Sequence, residues 1–238
     1  MLQPHEISRA LVVTAHPDDV DFGAAGTVAV LTDAGVDVTY CLVTDGDAGG
    51  SDRSMSRADM AALRRREQTD AAKAVGVDHL VFLGHPDGRV VADLALREDL
   101  SRVIRQVRPE VVICQSPERN LDRIYASHPD HLAAGEAALC AVYPDARNPF
   151  AFPGLLDVGH EPWSVSEVWV MSHPAATDHV DITAQVERKI AALMCHESQH
   201  VDRARTERIV REWAAATAVR VGLPEGRAAE AFRVVDTR

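Results

Sequence analysis

Two four-residue boxes concentrate the reactive side chains of this sequence: His16-Pro17-Asp18-Asp19 and His128-Pro129-Asp130-His131. In each box the outer side chains stand three residues apart across a proline turn, so they can converge on one point. Asp18 and Asp19, adjacent in a half-buried turn, repel each other unless a proton or a metal sits beside them. Neutral imidazole and carboxylate together suit Zn²⁺, and a catalytic zinc needs three protein ligands with one open position. A single box of this kind reads more often as a solvated turn whose Asp caps the next helix. Two of them shift the balance to a metal. The other common zinc signature, HExxH on a helix, is absent.

The boxes must be positioned by something, and the chain alternates in a way that supplies it. Strand-like runs (ALVVTA, VDVTYCLVTDG, HLVFLG, EVVICQS and VSEVWVMS) are separated by helix-like ones (GTVAVLTDAG, SRADMAALRRREQTDAAKAVGV, ADLALREDLSRVIRQVRP and HPDHLAAGEAALCAVY). A further helix, AQVERKIAALMCHESQ, follows the last strand. This pattern predicts βαβ units and an α/β fold: a Rossmann-like, doubly wound, mostly parallel sheet with helices on both faces. Ligands of such sheets collect at the carboxyl ends of the strands, near the topological switch point. HPDD follows the first strand, TDGDAGG the second, GHPDGR the third, and HPDH closes the stretch after the fourth. All four polar clusters are therefore expected on one rim.

At 238 residues and 46% hydrophobic, the chain can bury a full core, and one domain over 1–238 is expected. A formal net charge of -11 argues against nucleic acid and for a small-molecule partner. No apolar run is long enough to span a bilayer, and MLQPHEISRA lacks an apolar signal region. The four cysteines (Cys41, Cys114, Cys140 and Cys195) form no CxxC pair. Free thiols in a reducing cytoplasm are expected, rather than disulfides or a thiolate zinc site.

AHPDD after the first strand, HPDH opening a later helix and HESQ near the end of another resemble the LmbE-like, or PIG-L-like, zinc deacetylases. RRREQTDAAKAVGV is similar to that family's Arg-x-x-Glu helix, FLGHPDG to its strand and Pro-Asp-Gly turn, and HVDIT and AEAFRV to its C-terminal segments. The resemblance runs through nearly the whole chain in order. It implies removal of an N-acetyl group from an amino sugar or its conjugate, with Zn²⁺ or alternatively Fe²⁺ as cofactor. It further implies His16, Asp19 and His131 as metal ligands and Asp18 as general base. His128 would be the protonated partner of that base, Asp130 would orient its imidazole, and Arg64 would bind substrate, with Arg65 and Arg66 as competing choices. Two departures stand out. Val20 occupies a position where many members are acidic, leaving Asp21 to take over, and Ala126 stands where some carry a tyrosine, with Tyr125 one place earlier.

Other residues draw plainer readings. His196 and His200 lie one helical turn apart, but an exposed helix end is a more frequent reason for such a pair than metal binding. Ser198 and Gln199 match the family's Ser-Gln, with packing or hydrogen bonding near the pocket as their role. His85 reads as a loop residue and Asp87 as a rim group for a sugar hydroxyl. Cys114, within VVIC, reads as inert core. CAVYPDARNPFAFPGLLDVGHEPWSV reads as a long loop bordering the pocket. RTERIVREWAAATAVRV reads as a helix docked on the domain or on another subunit of a homo-oligomer. Two alternatives to the N-acetyl reading are an amidase acting on a larger N-acyl group and a metal-free nucleotide-binding module. FGAAG lacks the GxGxxG pattern the latter requires.

Overall fold

A computed structural model describes residues 1–238 except Ser51, Arg53, Arg123 and Val201. Among the described residues seven strands form one sheet: β1 (Arg9–Thr14), β2 (Asp37–Thr44), β3 (His79–His85), β4 (Val111–Gln115), β5 (Glu167–Met171), β6 (Asp178–Asp181) and β7 (Ala229–Asp236). Their order is β3-β2-β1-β4-β5-β7-β6. The first five are mutually parallel, and β7 runs antiparallel to both β5 and β6. The helices are α1 (Asp19–Gly23), α2 (Ala25–Asp33), α3 (Arg57–Ala74), α4 (Leu94–Val107), α5 (Pro129–Cys140), α6 (Gly154–Asp157), α7 (Val186–Met194) and α8 (Arg203–Arg220). Among the described residues no helix is long and apolar enough to cross a membrane.

The expected α/β architecture is present, and β1 shows why the sequence demands it. Ala10 and Val12 pack into the layer containing α2 and α3, while Leu11 and Val13 pack into the layer containing α4 and α5. A strand covered on both faces is apolar at every position rather than at alternate ones. The chain turns outward from β1 in both directions, toward β2 and toward β4, so the switch point lies between β1 and β4. The Gln115 side chain closes that gap by accepting from the Ala15 amide at 2.8 Å. Gly135 lets α5 settle on the end of β4, since a Cβ there would meet the Gln115 carbonyl at 2.3 Å. Both histidine boxes are thereby brought to the same rim.

One expectation needs correction. The segment after α5 does not border the pocket. Arg105, near the end of α4, donates to the carbonyls of Asp145, Ala146, Asn148 and Ala151, and Trp163 Nε1 donates to Pro109 O at 2.7 Å. These contacts fasten the segment beside the amino end of β4, opposite the rim that carries the boxes. The C-terminal segments HVDIT and AEAFRV contribute β6 and β7, an antiparallel edge that alternation of strands and helices did not reveal. Cys41 and Cys114 are free and buried, and burial pushes both thiols up to about 12.

Candidate metal centre

The first box folds onto itself. Asp19, the first residue of α1, accepts from the His16 amide at 2.7 Å through Oδ2, which also lies 3.2 Å from His16 Nδ1. Its other oxygen, Oδ1, lies 3.0 Å from Nε2 of His131 in the first turn of α5. One carboxylate thus joins two imidazoles from separate elements. The rings of His16, His128 and His131 form a near-equilateral triangle with centroid separations of 5.1, 5.2 and 5.3 Å. One donor nitrogen from each of these three lies within 4.8 Å of the others.

Electrostatics around the triangle favour a cation. Burial pulls His16 down, but Asp19, Asp130 and Asp87 outweigh it and push the ring up to about 12. Burial likewise opposes the shifts of Asp19 and His131. Their mutual attraction nevertheless holds Asp19 well below the usual carboxylate range and raises His131. Three carboxylates are held around His16, each steadied by backbone amides and facing a ring nitrogen. That donor set fits a divalent ion, which would displace ring protons as its ligands deprotonate. Donors for it are on hand from His16, His128 and His131, and from the Asp19 carboxylate beside two of them.

Asp130 is not where the resemblance puts it. Its carboxylate, 1% exposed, lies 3.3 Å from His16 Nε2 and accepts from the amides of Gly88 at 2.7 Å and Val90 at 3.2 Å. Its contact with His128 is through the backbone, the Asp130 amide donating to His128 Nδ1 at 3.2 Å. The geometry of a helix start explains this: His128 caps α5, and the second residue of the helix offers its amide to the cap while its side chain turns away. Burial and the neighbouring His16 and His131 lower His128 below its ordinary value against the opposing pull of Asp130 and Asp19. Asp87 is corrected too. Rather than facing a substrate from the rim, it places Oδ1 3.2 Å from His16 Nε2 and accepts from the Ala48 amide at 3.0 Å. A ring nitrogen opposite a metal-facing one is normally tied to a carboxylate in this way.

Asp18 adopts a left-handed backbone, φ 83°, which a non-glycine residue keeps only when its surroundings enforce it. Its amide donates to Gln68 Oε1 at 2.8 Å, and its carboxylate receives Arg64 Nη2 at 3.1 Å. Burial raises the Asp18 carboxyl to about 6 against the pull of Arg64. Arg64 itself is 4% exposed and also donates to Pro17 O and Gly46 O. It therefore faces Asp18 and the backbone, not an open substrate site. Arg65 points outward to Asp45.

A layer behind the box was only partly visible in the sequence. Gln68 Nε2 and His196 Nε2 converge on Asp21 Oδ2 at 3.0 and 2.8 Å, so His196 is fully buried rather than an exposed helix end. Glu67, the acid of Arg-x-x-Glu, accepts from both the amide and the hydroxyl of Ser198. Lys189 donates to the carbonyls of Asp21 and Phe22 at the end of α1 and to Glu230 at 2.6 Å. Glu230 in turn accepts from the amides of Gly26 and Thr27 at the start of α2. The sequence signals for this layer were Asp21 beside Val20, the Glu of Arg-x-x-Glu and the Ser198 of HESQ; Gln68, Lys189 and Glu230 gave none.

An inner pocket of ≈ 230 Å³ opens beside Asp19 and His131, with Tyr125, Met171 and Trp213 among its walls. Residues 11–142, which include both histidine boxes, match the family model described as PIG-L, GlcNAc-PI de-N-acetylase. The chain is 32% identical over 202 residues to the diacetylchitobiose deacetylase of Thermococcus kodakarensis, covering 82% of this chain and 71% of that one. It is 31% identical to a probable N-acetyl-alpha-D-glucosaminyl L-malate deacetylase 2 of Bacillus cereus, covering 79% of this chain and 82% of the relative. The N,N'-diacetylchitobiose deacetylase from Pyrococcus horikoshii, solved with its inhibitor MPG, superposes with a TM-score of 0.90 at 31% identity, covering 98% of this chain and 85% of that one. With the paired boxes, their shared carboxylate and the full-length superposition in agreement, the chain belongs to the PIG-L family of de-N-acetylases.

Proposed function

We propose that this protein is a zinc-dependent N-deacetylase that hydrolyses the acetamide of an amino sugar carried within a larger conjugate. The observation that carries this reading is the Asp19 carboxylate shared between His16 and His131, with a second carboxylate, Asp18, fixed beside it. His16, Asp19 and His131 would hold the ion, Zn²⁺ by the chemistry of the set, with Fe²⁺ compatible with the same donors. When bound, the metal supplies Lewis acidity toward a carbonyl and toward water.

The chain's own residues supply the rest. Asp18, raised to about 6 by burial, suits a base that takes a proton from the attacking water and returns it to the departing amine. Arg64 keeps its carboxylate aimed, and Gln68 keeps its backbone in the strained turn. His128, capping α5 through Nδ1, stands at the edge of the triangle and can donate to the carbonyl oxygen as charge develops there. Asp130 and Asp87 hold the His16 ring in place. The relatives' names support the substrate class: both describe an N-acetylglucosamine unit attached to a further group. The test is release of primary amine from a panel of N-acetylated amino sugars by metal-loaded protein. Stoichiometric amine and acetate support the reading; a panel with no amine released contradicts it.

A further inference from the structure

The turn that presents Asp18 is strained, and its restraint begins far away in sequence. At φ 83° the Asp18 backbone stays left-handed only while its surroundings enforce it. One enforcing contact is the Asp18 amide, which donates to Gln68 Oε1 at 2.8 Å. An N–H can only donate, so Gln68 must present its carbonyl oxygen there. Its NH₂ group is thereby turned to Asp21 Oδ2 at 3.0 Å, and the same oxygen faces His196 Nε2 at 2.8 Å. With Oδ2 already accepting from Gln68, the carboxylate meets the imidazole as an acceptor, and His196 carries a proton on Nε2. Each link sets the polarity of the next. One directed chain runs from His196 through Asp21 and Gln68 to the Asp18 amide.

The chain is sheltered and its far end is anchored. Gln68, Asp21 and His196 are all fully buried, so solvent does not compete for its links. A buried polar group that loses its partner keeps the cost of desolvation, which makes each link depend on the others. Two residues beyond His196, Ser198 gives both its amide and its hydroxyl to Glu67, the neighbour of Gln68 on α3. Arg64, Glu67 and Gln68 fall at helical spacing on one face of α3. That face therefore meets the first box through Arg64 and Gln68, and the turn after α7 through Glu67. The His196 ring itself lies outside the walls of the inner pocket.

Resting on the deacetylase reading of the metal centre, we propose that His196 is a positioning residue for the base. Through Asp21 and Gln68 it holds the Asp18 amide, and with it the carboxylate that takes the proton of the attacking water. Arg64 aims that carboxylate from the side chain, and the His196 chain fixes the backbone beneath it. A reacting group misplaced by about 1 Å costs on the order of 10²-fold in rate. A histidine that touches no substrate can therefore control turnover.

Three variants of the metal-loaded protein test this. His196→Leu removes the donor, His196→Gln supplies a side-chain N–H at a similar reach, and Gln68→Met cuts the chain two links further on. One readout is hydrogen exchange of the Asp18 amide, which requires no turnover, with the Ile113 amide of β4 as reference. The other is kcat and KM for N,N'-diacetylchitobiose. In His196→Leu and Gln68→Met the Asp18 amide is expected to exchange about tenfold faster or more, and kcat to fall by about tenfold or more. KM, metal content and Ile113 exchange are expected to match the parent, and His196→Gln to return Asp18 exchange and kcat toward it. Parental Asp18 exchange and kcat in His196→Leu overturn the proposal, as does a His196→Gln protein as impaired as His196→Leu. If His196→Leu also accelerates Ile113, its defect is one of folding and Gln68→Met decides, parental exchange and kcat there overturning the proposal. If the parent releases no amine while Asp18 exchange follows the expected order, the bracing of Asp18 stands and the deacetylase reading fails.

Discussion

Replacing Asp130 with Asn keeps the side chain's shape and removes its charge, at a position where the geometry makes the consequence calculable. Oδ2 serves Gly88 N–H at 2.7 Å and faces His16 Nε2 at 3.3 Å, while Oδ1 serves Val90 N–H at 3.2 Å. An amide has one acceptor oxygen, so in either orientation its NH₂ group confronts at least one of these buried donors. Leaving a buried donor without an acceptor costs about 1–3 kcal/mol of stability. Loss of a carboxylate behind a metal-ligating histidine typically weakens metal binding by about 10–100-fold. Asp87 still faces the same nitrogen at 3.2 Å, which places the single variant near the lower end, about tenfold or ~1.4 kcal/mol. The Asp87→Asn, Asp130→Asn double variant, with neither carboxylate, should approach about a hundredfold. Zinc affinity is measured by competition with a chelator of known affinity, alongside a pH–rate profile on metal-saturated protein. Unchanged affinity together with a displaced basic limb of that profile would refute the reasoning, because Asp130 would then be acting through His128.

Asp18→Asn should retain its metal while turnover falls on the order of 10²-fold or more, since a general base is lost and a ligand is not; metal analysis of the inactive variant checks this. Lys189→Met removes the cation paired with Glu230 between the end of α1 and the start of α2 and should cost about 3–5 kcal/mol in denaturant unfolding. Pairing it with Glu230→Gln should recover part of that loss, and a single variant as stable as the parent contradicts the role. His200, pulled to about 4 by burial and the nearby His196 and Arg64, takes up its proton more readily in the unfolded chain. Its contribution is therefore complete above a pH of about 6.5 and is lost as pH falls toward 4, so thermal melts should drop over that window and drop less in His200→Gln. Equal pH slopes for the two proteins would exclude it.

The parts legible in the sequence were those written in local spacing. β1 to β4 announced themselves as apolar runs ending in polar turns, and the histidine boxes fell at two of those ends, on either side of the switch point. Asp19 and His131 meet as the paired boxes implied. Partners separated by long stretches of chain were illegible. Asp130 lies two residues from His128 yet serves His16, because the start of α5 sends its amide one way and its carboxylate the other. His196 sits at a helix end that sequence alone makes exposed, but packing against Asp21 buries it completely. β6 spans only four residues, DHVD, with no apolar run to mark it. The loop after α5 is rich in aromatics and proline, but what places it is Arg105 of α4, which satisfies its carbonyls, together with the Arg97–Asp145 pair and the Trp163 indole.

One divalent ion, held by His16, Asp19 and His131, is the proposed basis of N-deacetylation by this chain. Its most direct test is an activation titration, in which metal-stripped protein receives increasing Zn²⁺ while acetate release from an N-acetylated amino sugar conjugate is followed. No release is expected at the start, then a linear rise that breaks at about one equivalent per chain and is absent in His131→Ala. Full activity in the stripped protein, or a rise that His131→Ala leaves intact, would contradict it.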